Sequence, residues 1–422
     1  MELTYSRQER ESASDEVFEV ASNVLRLQLP VGIPGVGHVN CYALYDSDGV
    51  VLVDPGLPGD LSWSALLARL DSAGIPLKRI HGVVVTHSHL DHYGGCVQLL
   101  EETKATLFAH RLFSARRANS FFGAACGCCG VAEACGVGGH TSNAEHDFED
   151  SPAVERLADS YATHDASQPN RTPWGPSSYS HPRESVKQWV EDNESDTAKR
   201  FPGRFYAPKP ARRVDDGEIL RLAGREWLVV HTPGHTVDHI CLWDSVEDVL
   251  LAGDHVLPTI TPHILGMVGG FDSGGDFNAG GGFDSGDGSA ENSSRDLLAS
   301  FLVALERVGR LGEATICLPG HGHPFSELSE RVRTIRGHHV DRLNVLRGES
   351  SGLTDAPVEA FMQVLYKPKV WGYSAASETL AHLEYLRCSG EAEMRRDQKG
   401  LLRYSLRGGA GKTSHASQVF TD

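Results

Sequence analysis

Long apolar runs are missing from this chain of 422 residues. A membrane-spanning helix takes roughly 20 consecutive apolar residues, whereas the apolar runs here, such as residues 82–86, have the length of a strand. Residues 1–16 are polar and acidic, and they lack the basic start and apolar stretch of a secretory signal. We therefore expect no membrane partner and no export.

An evenly spaced set of cysteines is missing as well. The nine cysteines are an odd number, and four of them crowd together at Cys126, Cys128, Cys129 and Cys135. This pattern excludes the disulfide framework of a small secreted protein and predicts a reducing, cytoplasmic location. With His140, the cluster fits no common zinc template, so we interpret its cysteines as redox-inert loop residues.

Basic residues are fewer than acidic residues in this chain. The chain has 39 Lys and Arg against 56 Asp and Glu, a formal net charge of −17. That balance excludes a generally basic nucleic-acid-binding protein. A local basic excess over residues 387–412 is better interpreted as a solvated surface or a pocket wall. A small molecule is therefore the expected partner and nucleic acid the less favoured one, while the oligomeric state stays open.

The chain is too long for one ordinary domain of ~100–200 residues, and its patterns change along its length. Short apolar runs alternating with helical patterns indicate α/β layers, and the last part follows a helix, helix, strand order typical of a winged helix. We predict a disordered tail over 1–20, a catalytic domain over 21–345 with an insertion at about 119–207 and a Gly-rich loop at 269–288, a winged-helix-like module over 350–408, and a disordered tail over 409–422.

Apolar periodicity and turn residues predict the individual elements. Strands are expected at 24–29, 39–45, 49–53, 82–86, 106–109, 227–230, 240–243, 249–251, 314–318 and 401–405. A helix is expected to begin near Asp60 and to bury a stripe of Leu61, Leu66, Leu67 and Leu70. Further helices are expected at 95–103, 296–308, 358–365 and 375–386.

Histidine is abundant, with 21 residues, and much of it follows apolar strands. Four predicted strands lead into metal-binding residue types: Thr86-His87-Ser88-His89-Leu90-Asp91-His92, His231-Thr232-Pro233-Gly234-His235, Gly253-Asp254 and Pro319-Gly320-His321. Sites in layered α/β folds form where strand ends converge. We therefore expect one sheet edge to gather seven side chains: His87, His89, Asp91, His92, His235, Asp254 and His321.

The spacing within the first motif suits metal binding. His87 and His89 point to the same side of an extended chain, and the turn at Gly94 brings Asp91 and His92 around to a second ion. Imidazole and carboxylate suit two Zn²⁺, with Mn²⁺ or Fe also matching the donors. A single strand-end histidine is commonly structural, but its combination with three further ligand-bearing strand ends indicates a metal site.

These motifs closely resemble those of the metallo-β-lactamase superfamily: the His-x-His-x-Asp-His signature at 87–92, Thr-Pro-Gly-His-Thr at 232–236, Ala-Gly-Asp at 252–254 and Leu-Pro-Gly-His-Gly at 318–322. The resemblance spans about residues 24–325 and implies a four-layer αββα sandwich with a dinuclear site on one edge. It implies that His87, His89 and His235 hold one metal, that Asp91, His92 and His321 hold the other, and that Asp254 bridges them. It also matches Asp54 to a residue that supports the ligands from behind.

His239 and His263 are further candidates to support the ligands or to contact substrate, against the plainer interpretation of ordinary core or surface histidines. The C-terminal module is similar to a subgroup with a winged helix, which includes β-lactamase-like and glyoxalase II-like members. That subgroup includes endoribonucleases. Because the 119–207 and 269–288 segments occupy the places of substrate-covering loops, the resemblance does not carry over a substrate.

The leading hypothesis is a metal-dependent hydrolase that uses a metal-bridging hydroxide on a small ester, thioester or acyl substrate. Asp91 is the candidate catalytic residue, placed to orient the water or carry a proton. One alternative is an endoribonuclease or phosphodiesterase, and another is a ligand-sensing regulator that binds DNA through the winged helix.

Overall fold

The computed structural model describes residues 7–33, 35–113, 154–155, 171–177, 207–266, 296–350 and 352–407. The chain divides into two compact units, residues 1–168, 180–265 and 299–336 in the first, and residues 169–179, 266–298 and 337–422 in the second. The expected Gly-rich loop, the C-terminal tail and the Cys126–Cys135 cluster lie outside the described residues, as does most of the expected insertion.

The described residues form β-strands and α-helices with the following bounds. The strands are β1 (Val17–Ala21), β2 (Val24–Ile33), β3 (Val36–Tyr45), β4 (Val50–Val53), β5 (Ile80–Val85), β6 (Thr106–His110), β7 (Val154–Glu155), β8 (Arg171–Thr172), β9 (Gly175–Pro176), β10 (Ala207–Pro208), β11 (Arg212–Val214), β12 (Ile219–Leu222), β13 (Arg225–His231), β14 (Ile240–Asp244), β15 (Val249–Gly253), β16 (Ile316–Pro319), β17 (Ala356–Pro357), β18 (Ala392–Arg396) and β19 (Leu402–Leu406). The helices are α1 (Asp60–Ser72), α2 (Leu90–Tyr93), α3 (Cys96–Glu102), α4 (Leu297–Gly309), α5 (Leu328–Glu349), α6 (Val358–Leu365) and α7 (Tyr373–Cys388).

The first unit contains a seven-stranded sheet in the order β1-β2-β3-β4-β5-β6-β11. Its strands are antiparallel from β1 to β4, and β4, β5, β6 and β11 then run parallel. Strand β5 is apolar on both faces because both are covered: Val83 and Val85 pack with the helices, whereas Val84 packs towards the second sheet. The parallel strands bring their carboxyl ends to one edge of the sheet.

A second sheet faces the first, in the order β12-β13-β14-β15-β16. Its neighbours are antiparallel except for β15 and β16, which are parallel. The core between the sheets joins Tyr42 and Val53 of the first sheet to Trp227, Leu242 and Leu251 of the second. The resulting helix, sheet, sheet order places the ends of β5, β13, β15 and β16 near one another, which is the arrangement that the site requires.

Helix α1 forms where the sequence predicts it, but its buried stripe differs from the prediction. Leu66 and Leu70 are buried, whereas Leu61 is 56% exposed. Leu61 lies in the first turn, one residue after Asp60, where the helix emerges from the preceding loop. The periodic pattern is therefore correct only for the part of the helix that lies on the sheet.

The N-terminal segment differs from the expected disordered tail over 1–20. Gln8–Arg10 form a 3₁₀ turn, and Val17–Ala21 form β1, which pairs antiparallel with β2. Glu9 is fully buried. The prediction is wrong for residues 7–20, because β1 pairs with the neighbouring strand β2 and Glu9 accepts hydrogen bonds from the distant residue Thr259.

The second unit combines α6 and α7 with an antiparallel sheet in the order β17-β19-β18. Helix α6 has the predicted bounds, and β19 lies one residue from its prediction. Strand β18, which the sequence analysis missed, completes the hairpin with β19. The assignment to the winged-helix class stays a prediction.

Part of the expected insertion belongs to the core of the second unit. Trp174 is fully buried, its carbonyl oxygen accepts a hydrogen bond from the backbone N–H of Leu402 at 2.8 Å, and its ring lies 5.2 Å from that of Tyr373. The interpretation of 119–207 as lying outside the core is therefore wrong at this residue.

Among the described residues, no helix combines the length and apolar character that spanning a membrane takes.

Candidate metal centre

Four ligand-type side chains from three loops form a first set. His87 Nε2 and His235 Nε2 each lie 2.9 Å from His89 Nδ1. Asp254 Oδ2 lies 3.9 Å from His87 Nε2 and 3.5 Å from His235 Nε2. The loops that follow β5, β13 and β15 thus converge on one point, as the strand-end argument predicts.

A second set lies beside the first and shares Asp254 with it. His92 Nε2 lies 3.3 Å from His321 Nε2, and Asp91 Oδ2 lies 3.4 Å from His321 Nε2. Asp254 Oδ2 is 3.5 Å from His92 Nε2 and 3.3 Å from His321 Nε2. One carboxylate oxygen therefore faces both sets, which is the position that the resemblance implies for a bridging ligand.

Backbone contacts hold these loops against one another. The N–H of Ile240 donates to the carbonyl oxygen of Thr86 at 2.9 Å, joining the end of β5 to the second sheet. The N–H of Gly320 donates to the carbonyl oxygen of Gly253 at 2.7 Å. A Cβ atom on Gly320 would lie 2.3 Å from Asp254 Oδ1, so the close approach requires glycine here.

The histidine rings are oriented by hydrogen bonds from their other ring nitrogen. His235 Nδ1 donates to the carbonyl oxygen of His263 at 2.7 Å, and His321 Nδ1 donates to that of His38 at 2.6 Å. His92 Nδ1 donates to Asp54 Oδ2 at 2.8 Å. A neutral ring that donates from Nδ1 presents a lone pair at Nε2.

The same orientation applies to His87. Its Nδ1 lies 3.0 Å from the Thr86 hydroxyl, which donates its own proton to Asp54 Oδ2 at 2.6 Å and so accepts from the ring. A metal ion held by these rings would require their facing nitrogens, which lie 2.9 Å apart in His87 and His89 and 3.3 Å apart in His92 and His321, to present lone pairs to it. The donor set of buried imidazoles and carboxylates fits a divalent metal site.

Asp54 lies behind the candidate ligands and contacts Thr86 and His92. Besides the Thr86 hydroxyl and His92, it accepts a hydrogen bond from the Thr86 N–H at 2.8 Å. Its φ of 55° is in the left-handed region, which Asp tolerates better than most residues. The strained turn directs the buried carboxylate at the histidine that it orients.

Electrostatics favour positive charge at the second set. Burial opposes protonation of His92, but the carboxylates of Asp254, Asp91 and Asp54 outweigh it and hold the pKa of His92 well above its ordinary value. Burial likewise opposes charge on His321, yet Asp254 and Asp91 raise its pKa to about 10. At the first set, burial holds the pKa of His87 and of His89 well below the ordinary value, so these rings stay neutral.

The two remaining candidates act differently from a ligand. His239 is fully buried, its Nδ1 lies 2.7 Å from the Thr232 hydroxyl, and its Nε2 accepts a hydrogen bond from the N–H of Asp254 at 3.0 Å. It therefore holds the backbone that carries the shared carboxylate. His263 contributes its carbonyl oxygen, which accepts the hydrogen bond that orients His235.

Sequence reasoning missed a row of polar residues on β3. Asn40 donates to the carbonyl oxygens of Pro319 and Gly322 at 2.8 and 2.9 Å, and the Tyr42 hydroxyl donates to that of Pro319 at 2.7 Å. With His38, they occupy alternate positions of the strand and brace the loop that carries His321. Polar residue types at every second position of an otherwise apolar run were the signal available in the sequence.

A pair between the ligands was missed as well. Ser88, which separates His87 from His89, donates to Asp238 Oδ1 at 2.9 Å, and both side chains are buried. This bond joins the loop after β5 to the loop that carries His235, and so holds together two ligand-bearing segments.

The sequence profile of the metallo-beta-lactamase superfamily matches residues 34–120 and 153–321. The chain belongs to the metallo-β-lactamase superfamily. The fold agrees with those of two solved members: a metallo-beta-lactamase family protein from Thermus thermophilus (TM-score 0.60, 23% identity, 92% of this chain and 100% of the other) and a beta-lactamase domain protein from Burkholderia ambifaria (TM-score 0.61, 22% identity, 94% and 96%). The expected fold class is thereby confirmed.

Curated relatives of this superfamily member match over short stretches. The acyl-coenzyme A thioesterase MBLAC2 of Gallus gallus is 35% identical over 74 residues, which are 16% of this chain and 26% of the relative. The atrochrysone carboxyl ACP thioesterase of Emericella nidulans is 37% identical over 59 residues, which are 14% of this chain and 18% of the relative. The matches therefore span about a quarter of these relatives or less.

Proposed function

We propose that this protein is a hydrolase that uses two Zn²⁺ ions to cleave a small ester, thioester or related acyl substrate. The observation that carries the proposal is the pair of ligand sets that share Asp254 Oδ2. His87, His89 and His235 would hold one ion, and Asp91, His92 and His321 the other. Mn²⁺ or Fe would suit the same donors.

Bound divalent ions would supply a Lewis acid for the scissile carbonyl oxygen and lower the pKa of water to about 7. The chain's own residues prepare that chemistry. Hydrogen bonds from Nδ1 fix the rings so that their Nε2 atoms face inward. Burial of the ligand-type side chains, of which Asp91 is the most exposed at 12%, keeps the surrounding dielectric low and strengthens each interaction.

Asp91 is the proposed proton carrier. Burial alone would raise its pKa, but His92 and His321 lower it below the ordinary value, so the carboxylate is ionised at neutral pH. Its carboxylate oxygen that is not engaged as a ligand accepts the proton of the attacking water as the new C–O bond forms. The same proton then passes to the leaving sulfur or oxygen as the scissile bond breaks, so that no other co-reactant is needed.

An acyl thioester is the favoured substrate class. Two of the curated relatives are thioesterases by name, one for acyl-coenzyme A and one for an acyl-carrier-protein substrate. The net charge of −17 opposes a long polyanion such as RNA, whose binding depends on Lys and Arg.

The deciding experiment couples metal analysis with a substrate panel. The purified protein is assayed for bound metal, then tested with acyl thioesters, simple esters and short RNA oligonucleotides, with and without chelator. Chelator-sensitive thioester or ester cleavage supports the proposal. RNA cleavage would replace it with the phosphodiesterase alternative, and a salt-sensitive, sequence-dependent gel shift without hydrolysis would replace it with the DNA-binding regulator.

A further inference from the structure

Glu9 is a fully buried carboxylate close to the start of the described chain. Its Oε1 accepts hydrogen bonds from the backbone N–H groups of Thr259 at 2.9 Å and Ile260 at 3.1 Å, and its Oε2 accepts one from the Thr259 hydroxyl. A buried ionisable group is tolerated only when such donors compensate its lost hydration. Glu9 is therefore specifically matched to this stretch of backbone, 250 positions along the chain.

The stretch that Glu9 holds connects two parts of the metal centre. Residues 255–263 follow Asp254 directly and contain no regular strand or helix. At their far end, the carbonyl oxygen of His263 accepts the hydrogen bond that orients His235. Movement of this loop would displace both a ligand-bearing residue and the acceptor that aligns another ligand ring.

Arg331 binds the same loop as a hydrogen-bond donor. Its Nε donates to the carbonyl oxygen of Leu257 at 2.5 Å, and its Nη2 donates to that of Ile260 at 2.5 Å. Glu9 thus satisfies N–H groups of the loop while Arg331 satisfies C=O groups. Together the two side chains satisfy four backbone groups of a loop that has no strand or helix hydrogen bonds of its own.

The residues beside Glu9 reach the loop that carries His321. Gln8 Oε1 accepts a hydrogen bond from the N–H of His323 at 3.1 Å. The carbonyl oxygen of Glu11 accepts one from His38 Nδ1 at 2.7 Å, and the carbonyl oxygen of His38 accepts the one that orients His321 at 2.6 Å. One short segment therefore contacts both of the loops on which the shared and second-set ligands depend.

We propose that residues 8–11, the N-terminal brace, are a positioning element of the metal centre, with Glu9 as the positioning residue that sets metal affinity. The inference rests on the proposed function only in taking the His and Asp cluster as a metal site. Ligands must be held within about 0.5 Å of the productive geometry, and the residues that support them are part of that precision. Glu9 acts through the loop and does not touch the ligand atoms.

The test compares Zn²⁺ affinity, by competition with a chromophoric chelator, in wild type and in Glu9→Gln. An amide cannot replace all three accepted hydrogen bonds, so we expect affinity to fall at least about tenfold, within the range for residues that support ligands. The visible spectrum of the Co²⁺-substituted protein should change as well, because it reports ligand geometry. A role confined to global stability would leave that spectrum unchanged.

Two further variants make the test independent of folding. Thr259→Val removes only the hydroxyl contact with Glu9, keeps the side chain's shape and should give a smaller loss in the same direction. Glu16→Gln alters an exposed glutamate outside the brace and should match wild type. Circular dichroism of the metal-free proteins checks folding, and Thr259→Val decides the matter if Glu9→Gln does not fold.

The outcomes separate this inference from the proposed function. Wild-type affinity and an unchanged Co²⁺ spectrum in folded Glu9→Gln, or in Thr259→Val where the former is unfolded, would overturn the brace while leaving the hydrolase intact. Absence of metal binding by the wild type would overturn both proposals. Weakened binding with an altered spectrum in Glu9→Gln, beside a normal Glu16→Gln, supports the brace even if no substrate has been found.

Discussion

The Oδ2 atom of Asp54 lies 2.8 Å from Nδ1 of His92, and both side chains are buried. The carboxylate directly follows β4, and the imidazole belongs to α2, the short helix that comes after the neighbouring parallel strand β5. This contact both fixes the ring's orientation and favours positive charge on it. It makes Asp54 the support on which the second ligand set most directly depends.

Replacing Asp54 with Asn should weaken metal binding at the second set by about 10–100-fold. Asn also tolerates the left-handed backbone, so the substitution tests the carboxylate without adding strain at φ 55°. Chelator competition with Zn²⁺ measures the effect. A Ser47→Ala variant in an exposed turn of the same sheet is the control, and equal affinities for Asp54→Asn and wild type would contradict the role assigned to Asp54.

Asp91→Asn should lower kcat by about 10²–10⁴-fold, the usual contribution of a general acid or base, while the protein remains folded. An amide cannot take the proton that the ionised carboxylate accepts. Hydrolysis of a thioester by protein with verified metal content is the measurement. If Asp91→Asn with its full metal content hydrolysed as fast as wild type, the proton-carrying role would be abandoned.

Gly320→Ala should destabilise the protein by about 1–3 kcal/mol and weaken metal binding. The new methyl group would lie 2.3 Å from Asp254 Oδ1 and 2.8 Å from His92 Cε1, forcing the shared ligand to move. Gly337→Ala is a matched control because a Cβ there meets nothing within 4 Å and the residue lies inside α5, where Ala is favoured. The control should be neutral or slightly stabilising in urea denaturation, and a similar response of both variants would contradict the argument.

Chelation should abolish activity and lower the unfolding temperature, and added Zn²⁺ should restore both. A ligand that binds only the native state stabilises it by RT ln(1 + [L]/Kd), which is about 2.7 kcal/mol when free metal is 100 times Kd. Thermal unfolding with and without chelator measures the effect. A transition that does not respond to metal would count against a cluster that binds it.

Acidification should destabilise the second unit through His382. Burial lowers the pKa of this ring to about 4, below its ordinary value of 6.5. The unfolded chain therefore takes up a proton first, and stability falls as the pH drops from 6.5 towards 4, by up to about 3 kcal/mol. Urea denaturation at several pH values should show a shallower loss in His382→Gln, and an identical pH dependence in both proteins would exclude this source.

Local patterns predict two kinds of element: strands that are apolar on both faces, and helices whose apolar residues recur with the helical period. Strand β5 is recognisable from the apolar run Val83, Val84 and Val85, which the structure buries on both faces of the sheet. Helix α6 is recognisable because it is amphipathic. Helix α1 shows the limit of the same reasoning, since Leu61 fits the period but lies beyond the sheet. Periodicity predicts which residues can share a helix face. Only the packing of the helix against the sheet decides how much of that face is buried.

The N-terminal segment and Trp174 escaped prediction for a common reason. Both acquire structure from partners that are remote in sequence: Glu9 from Thr259, and Trp174 from Leu402 and Tyr373. Polar residues with no periodic apolar face resemble a disordered tail or a loop when considered alone. Their burial follows from contacts with segments that are remote in sequence, which a local pattern does not contain.

The sequence by itself determined the chemistry of the site. Ligand residue types at the ends of apolar strands indicate a metal cluster, because strand ends meet at a sheet edge and glycines allow the close turns there. Tertiary structure alone decided which ring nitrogen faces inward, which carboxylate oxygen both sets share, and which distant residues support the loops. Those properties depend on distances and hydrogen bonds between segments up to 315 positions apart, which one-dimensional spacing does not encode.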